Sequence, residues 1–419
     1  MKILYLQQQL ILPDHHAGND RCWYFASYWA SKGVEVHFIS FVPPPLSTAE
    51  NISKPFSHPG IRVHKVNVPY AHKMSFPQRV KSFLSFAWKA FQIGKTIKNI
   101  DLVLAYTAPP SVGEIGRRLA NYHKVPFLLE VADVWPDVPI DMGIINNRLV
   151  ASFLSWRMNL IYQDAHHILA FSEDMKDLIG KHVPRHPSMQ VVHNGADPTF
   201  FSLERSHPKY PDKVYLLYAG TLGRANGLSQ LFDTLTYLPE YVLAKLEVII
   251  VGSGNEEVGL RERAASFSNI SFHLSCTRAQ ISNWLEKADI GLSMFAPFPV
   301  LESNGATKFF DYLAAGIPVL LNYQGWQSKY LEKYHCGLSS KQGDLKTFAE
   351  NLAKLVENVE MRKKMSSNAR ELAQTTFDRD ILAEKMLSLF QSSLRNDRKL
   401  SNPGNSLVDR LQNQRRENT

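Results

Sequence analysis

The feature that most limits how this chain can fold is an alternation. Short β-branched or apolar runs recur, and an amphipathic stretch of helical period follows each. Residues 2–6 read as a strand, 22–31 as a helix stopped by Gly33, and 34–41 as the next strand. Further strands are predicted at 102–106, 126–131 and 168–172. Strands separated by helices pair in parallel through right-handed crossovers. The rhythm restarts near residue 210, with strands predicted at 215–221, 246–251, 270–274, 290–294 and 318–322. Between the series, 202–213 is polar, holds two prolines and reads as a linker. The expectation is an α/β chain of two similar domains, 1–200 and 201–376. A helix at 377–394 is expected to pack back toward the first domain. The segment 395–419 carries six Lys/Arg against three Asp/Glu and is expected to be a disordered basic tail. Ligands of open parallel sheets bind beyond the carboxyl ends of the strands, so two such domains place a site in the cleft between them.

Charge narrows the partners. Lys and Arg number 47 and Asp and Glu 39, a formal net charge of +8, which favours phosphates, nucleic acid or an anionic membrane surface. At 44% hydrophobic and 21% charged residues, the balance is that of a globular protein and excludes collagen-like or wholly disordered chains. Cys22, Cys276 and Cys336 are odd in number and lack CxxC spacing, which points to a reducing compartment and away from structural zinc. The apolar start breaks at Gln7-Gln8-Gln9, too soon for a signal peptide, and no run of 18 apolar residues occurs. A cytoplasmic protein, peripheral on the inner face of the cytoplasmic membrane, is expected.

Four stretches carry a family resemblance. The first is Leu169-Ala170-Phe171-Ser172-Glu173-Asp174-Met175-Lys176, with Val192-His193-Asn194-Gly195-Ala196-Asp197 after it. The second is Leu217-Tyr218-Ala219-Gly220-Thr221-Leu222-Gly223-Arg224-Ala225-Asn226-Gly227-Leu228. Ile249-Ile250-Val251-Gly252-Ser253-Gly254 and Thr307-Lys308-Phe309-Phe310-Asp311-Tyr312-Leu313-Ala314-Ala315-Gly316-Ile317-Pro318-Val319 complete the set. In this order, over about residues 1–393, the chain resembles retaining glycosyltransferases of family 4 with the GT-B fold, two Rossmann-like domains facing a cleft. Glu130-Val131-Ala132-Asp133-Val134-Trp135-Pro136 is similar to a segment of bacterial enzymes that build surface polysaccharides on a lipid carrier, N-acetylfucosamine transferases among them. The resemblance implies transfer of a hexosyl or N-acetylhexosaminyl group from a nucleoside diphosphate sugar, UDP-linked, to a polyprenyl-linked or saccharide acceptor. It implies retention of anomeric configuration, and no metal or other cofactor.

Residue by residue, the donor side is the richer. Gly220–Gly227 follows a predicted strand and precedes a helix, so the loop can present backbone N–H groups to a diphosphate, with Gly223 inside it and Arg224 as a fixed cation. An ordinary glycine turn with a solvated Arg is the alternative. Thr221 and Asn226 stand where many family members have Arg and Lys, so Arg224 and Lys308 are left to meet the phosphate charge. Lys308 and Asp311 are three apart on one helical face. The first suits a diphosphate, the second a ribose. The resemblance puts Asp311 at the second position of a Glu-x7-Glu pair and Ser303, beside Glu302, at the first. Asp311 could instead only favour a helix start. In the loop Asp14-His15-His16-Ala17-Gly18-Asn19, Gly18 is expected against the donor phosphates and His16 on the acceptor side. The two histidines have no carboxylate spacing for a metal.

Asp133 ends a strand run where ligands gather and is the candidate general base, with Trp135 as acceptor wall; capping of a loop is the alternative. Gly252-Ser253-Gly254 is read as close packing, and Asp378-Arg379-Asp380 as a helix cap. Between Glu50 and Asp101 there is no acid and there are nine Lys/Arg. Within this segment, Phe76 to Phe91 is predicted to form an interfacial helix on anionic lipid, with Lys81 and Lys89 at lipid phosphate and Phe83, Trp88 and Phe91 inserted. A core-packed helix is the alternative. Two other functions compete with transfer. A nucleotide-sugar epimerase needs no acceptor. A nucleic-acid binder has only the charge in its favour, without a helix-turn-helix, RNP or zinc pattern, and no nucleic-acid partner is expected.

Overall fold

The computed structural model describes residues 1–12, 20–44, 58–68, 74, 76–107, 109–186, 188–201 and 212–401. Its strands form two sheets, paired in parallel throughout. The first holds β1 (Lys2–Gln9), β2 (Glu35–Phe41), β3 (Ile61–Lys65), β4 (Leu102–Thr107), β5 (Phe127–Val131), β6 (His167–Ala170) and β7 (Met189–Val191), in the order β3-β2-β1-β4-β5-β6-β7. The second holds β8 (Val214–Ala219), β9 (Leu246–Val251), β10 (Ile270–His273), β11 (Ile290–Ser293), β12 (Val319–Leu321) and β13 (Gly337–Ser339), in the order β10-β9-β8-β11-β12-β13. The strand order reverses between β1 and β4, and between β8 and β11. Loops that leave the carboxyl ends there diverge and open a crevice. Residues 10–12 leave β1, and the 220–227 loop leaves β8, so both lead toward their sheet's crevice; residues 13–19 lie outside the described residues.

Two glycines fix the second of these loops. A Cβ on Gly252 would collide with the Gly220 carbonyl oxygen, and one on Gly254 with that of Leu222. The GxG after β9 therefore lets two loops lie backbone to backbone, the packing role expected of it.

Helices cover both faces of the first sheet. Phe76–Thr96, Pro110–His123 and Arg148–Asp164 share one layer, with the middle helix in contact with both others. Arg21–Ser31 and Arg379–Ser401 cover the opposite face, where Trp29 meets Phe390 edge-on at 4.8 Å and its indole N–H donates to the Ala383 carbonyl at 2.9 Å. The last helix thus packs on the first domain and runs past 394. Residues 402–419 lie outside the described residues.

The rotation of Phe76–Thr96 differs from the expected one. Phe86 and Ala90 are fully buried and Phe91 packs on the core, whereas Val80, Leu84 and Trp88 face out. Small residues set this rotation: Gly94 leaves room only for Leu119 of the neighbouring helix, so the stripe 86-90-94 turns inward. Phe91 is therefore not available for lipid, and Lys89 is tied to the Asn67 carbonyl at 2.7 Å.

Five charged residues meet where the chain crosses between domains. Asp20 begins the first helix of one domain, Asp197 lies in the crossing, Arg278 opens one helix of the other and Asp311 lies within a second, and Arg379 opens the returning helix. Arg379 binds Asp20 through both terminal nitrogens, at 2.6 and 3.3 Å. Arg278 lies 3.5 Å from Asp20, 3.6 Å from Asp197 and 3.6 Å from Asp311. Burial alone would raise the Asp20 carboxyl, but Arg379 and Arg278 outweigh it and hold it below the usual range. For Asp311 burial prevails over the same two cations, and its carboxyl is raised. Asp311 is thus the surplus carboxylate of three against two guanidiniums. Arg379→Met leaves three carboxylates, two of them buried, on one cation and should cost on the order of 3–5 kcal/mol in chemical denaturation. Asp311→Asn removes the surplus charge and should cost less than about 1 kcal/mol. Equal losses in the two variants would contradict this division.

Candidate active site

The 220–227 loop is built in short steps. The chain leaves β8 at Ala219, passes Gly220, makes a single 3-10 turn over Arg224–Asn226 and reverses at Gly227, whose φ is +57°. A Cβ at Gly227 would strike the Ala296 backbone, so only glycine closes this turn. The Tyr218 hydroxyl, buried below, donates to the Thr221 carbonyl at 2.7 Å and holds the loop.

Lys308 reaches this loop from the helix Thr307–Ala314. Its Nζ donates to Asn226 Oδ1 at 3.3 Å and lies 5.0 Å from the Tyr218 ring centre. Burial pushes the ammonium down to about 8, with the Asp311 carboxylate pulling the other way. Asn226, where the family often has Lys, is here the polar partner of the substitute cation. Arg224 stays exposed, its guanidinium 5.7 Å from the Phe298 ring centre. The structure therefore brings Arg224 and Lys308 to one glycine loop at the sheet's switch point, with Gly223 between Thr221 and Arg224.

The remaining donor candidates divide. Glu302 accepts the Gln324 N–H at 3.2 Å and lines a cavity of about 520 Å³ with Ser303, Asp137, Asp141 and Asp174. Ser303 is buried. Its hydroxyl donates to the Val300 carbonyl at 2.7 Å and its own carbonyl accepts the Ser172 hydroxyl from the other domain. That hydroxyl is spent on its turn. Asp311 stands at the charged junction, which gives a competing partner to the carboxylate that the resemblance assigns to ribose.

On the other side of the cleft, Asp133 lies two residues beyond β5, and burial pushes its carboxyl up to about 6. Its charge adds to the burial that raises the Tyr106 phenol at the end of β4. Trp135 is half-buried against the first domain's core. His16 and Gly18 lie outside the described residues. Among the described residues, no group of three or more His, Cys, Asp or Glu is placed to hold a metal ion, and no helix is long and apolar enough to cross a membrane.

Comparison with known proteins matches both halves. Residues 18–195 match the Glycosyl transferase 4-like domain, and residues 200–372 match Glycosyl transferases group 1. The chain belongs to the GT-B glycosyltransferases. Its fold is similar to sucrose-phosphate synthase from Thermosynechococcus elongatus, with a TM-score of 0.73 and 13% identity over 93% of this chain and 98% of that one. It is also similar to Anabaena HepE, described in complex with UDP-glucose, with a TM-score of 0.69 and 16% identity over 94% and 100%. An uncharacterized glycosyltransferase of Methanocaldococcus jannaschii is 19% identical over 225 residues, 52% of this chain and 56% of that relative. The match thus spans little more than half the length of that curated relative.

Some parts of this GT-B site carry no signal in the sequence. Arg278 reads only as part of a helix start, and its Thr277–Gln280 capping box explains that position without the ion pairs. Arg379 reads as part of a cap, yet it is the cation that fastens Asp20. The Asp133 and Lys308 shifts depend on burial, which spacing does not reveal.

The Lys308 shift is open to direct measurement. After reductive ¹³C-methylation, one dimethyl-lysine resonance should titrate near pH 8, well below the others, and vanish in Lys308→Arg. Asp311→Asn should move it lower still, since Asp311 favours the charged form. A Lys308 titration with the bulk of the lysines would contradict its burial.

Proposed function

We propose that the protein moves a hexosyl or N-acetylhexosaminyl group from a UDP-linked sugar to a polyprenyl-linked or saccharide acceptor, with retention of configuration, in surface polysaccharide biosynthesis. The observation that carries this reading is the convergence of Arg224 and Lys308 on one glycine loop at the carboxyl end of β8. That arrangement suits a nucleoside diphosphate, and HepE, of like fold, is described in complex with UDP-glucose and with UDP. Gly18, Gly223, Glu302, Ser303 and Asp311 would border the donor, and His16 and Trp135 the acceptor.

The chemistry follows from charge. As the anomeric bond breaks, negative charge builds on the leaving diphosphate. Arg224 and Lys308 stabilise it, with no metal ion required. Lys308, whose ammonium is held near 8 by burial, regains full charge as the diphosphate arrives. Asp133, at about 6, is ionised at neutral pH and basic enough to assist loss of the acceptor proton. The leaving phosphate is the other base within reach of a retaining transfer, and the two differ in what Asp133→Asn does.

The site of action is the inner face of the cytoplasmic membrane. Support comes from the acid-free segment between Glu50 and Asp101 and from the outward stripe Val80, Leu84 and Trp88, with Lys81 beside it. Each basic residue near an anionic surface adds roughly 1 kcal/mol of attraction.

Incubation with a panel of UDP-sugars and polyprenyl-linked acceptors should release UDP only when an acceptor is present, and equally in excess EDTA. Asp133→Asn should lower kcat about a hundredfold or more while UDP affinity stays unchanged. Epimerised sugar formed without acceptor would contradict transfer. Near wild-type turnover of Asp133→Asn would remove Asp133 from the chemistry and leave the proton to the phosphate.

A further inference from the structure

A second helix of the same layer is built like the first and has no role in the site. Arg148–Asp164 buries only Met158, Ile161 and Tyr162, all in its second half. Its first half projects from the domain with its apolar side chains uncovered: Leu149 is 81% exposed, Phe153 56% and Trp156 53%. The positions 149, 153 and 156 lie on one helical stripe, and the Phe153 and Trp156 rings are 5.9 Å apart. Single exposed apolar residues are ordinary, but three on one stripe of a helix that half-leaves its domain need a partner.

Charge says what kind. From 142 to 163 the chain has no acid and carries Arg148 and Arg157. Arg157 lies 5.5 Å from the Trp156 ring centre and 2.8 Å from Glu114. Glu114 is also met by Arg117 and Arg118, and Arg117 by Asp164 at the far end of Arg148–Asp164, so three arginines face two acids and the cluster is net basic by one. An apolar stripe framed by arginines matches an anionic bilayer interface.

Position says how it would act. Helices that follow parallel strands start at the carboxyl ends, on the cleft side. The uncovered half of Arg148–Asp164 is its starting half, and Val80 and Leu84 lie in the starting half of Phe76–Thr96. The two stripes flank Pro110–His123 at the same rim of the domain.

We infer that the first half of Arg148–Asp164 is a second membrane anchor, inserting Leu149, Phe153 and Trp156 into an anionic lipid interface beside Phe76–Thr96. One helix fixes the protein to a surface but leaves it free to roll about that helix. Two stripes at one rim fix the roll and turn the cleft mouth to the bilayer. The inference rests on the membrane reading given under the proposed function, and the test separates the two.

The test is co-sedimentation of the full chain with vesicles of phosphatidylcholine and phosphatidylglycerol at low salt. Leu149→Gln/Phe153→Gln/Trp156→Gln alters exposed side chains only. It should lower the partition coefficient at least tenfold, with thermal midpoint and UDP affinity unchanged. Brominated lipid should quench tryptophan fluorescence in the wild type, and less so in Trp156→Phe. Partitioning of the triple variant within twofold of wild type, while Val80→Gln/Leu84→Gln/Trp88→Gln loses binding, would overturn the second anchor and keep the first. A wild type that ignores these vesicles would overturn both. Sedimentation velocity that shows a wild-type dimer broken by the triple substitution would assign the stripe to a second copy of the chain and overturn the lipid.

Discussion

The buried junction of Asp20, Asp197, Arg278, Asp311 and Arg379 is the constraint on which the site depends. Charges removed from water are tolerated only when their partners are fixed, and here the partners come from five separate elements. Asp20 begins the first domain's first helix. Asp311 is one turn beyond Lys308. The same set of ion pairs therefore ties the helix that carries Lys308 to the start of the first domain's first helix. Arg379 adds the returning helix, so the last element of the chain helps close the first domain against the second.

Above this junction the second domain assembles its cationic loop by exclusion of side chains. Gly252 and Gly254 let the β9 loop lie against the backbone at Gly220 and Leu222, and Gly227 closes the turn against Ala296. With the loop fixed, Asn226 and Tyr218 receive Lys308 from the side. Burial lowers the charging point of this cation to about 8. The first domain supplies what the second lacks. It holds, just beyond β5, a half-buried carboxylate with no cation against it among the described residues, and a helical layer with an apolar rim.

The parallel architecture was legible because most strands are apolar runs long enough to stand out, and eleven of the thirteen described strands lie where the sequence places them within a few residues, β7 among them from the Val191-Val192 run that ends in the Asn194-Gly195 turn. β3 and β13 were not legible. β3 is an edge strand that alternates with Arg62 and His64, and β13 has three residues. The glycine loop after β8 was legible, and Arg224 and Lys308 both lie at it. The junction was not, because Arg278 and Arg379 each look locally satisfied as helix starts, and only the crossing of the two domains brings them to Asp20. The rotation of Phe76–Thr96 failed for a related reason. An aromatic-rich helix has several apolar faces, and the one that turns inward was chosen by Gly94 meeting Leu119, a contact between residues 25 apart in the chain.

The central claim is that two cations of the second domain bind the donor diphosphate. Isothermal titration of UDP into the wild type, Arg224→Ala and Lys308→Ala tests it most directly. A charge-assisted contact is worth on the order of 1.5–3 kcal/mol, so each variant should bind UDP at least about tenfold more weakly. Above pH 8 the wild-type affinity should fall as Lys308 loses its proton, and Lys308→Ala should lack that fall. Affinity unchanged in both variants would contradict the account.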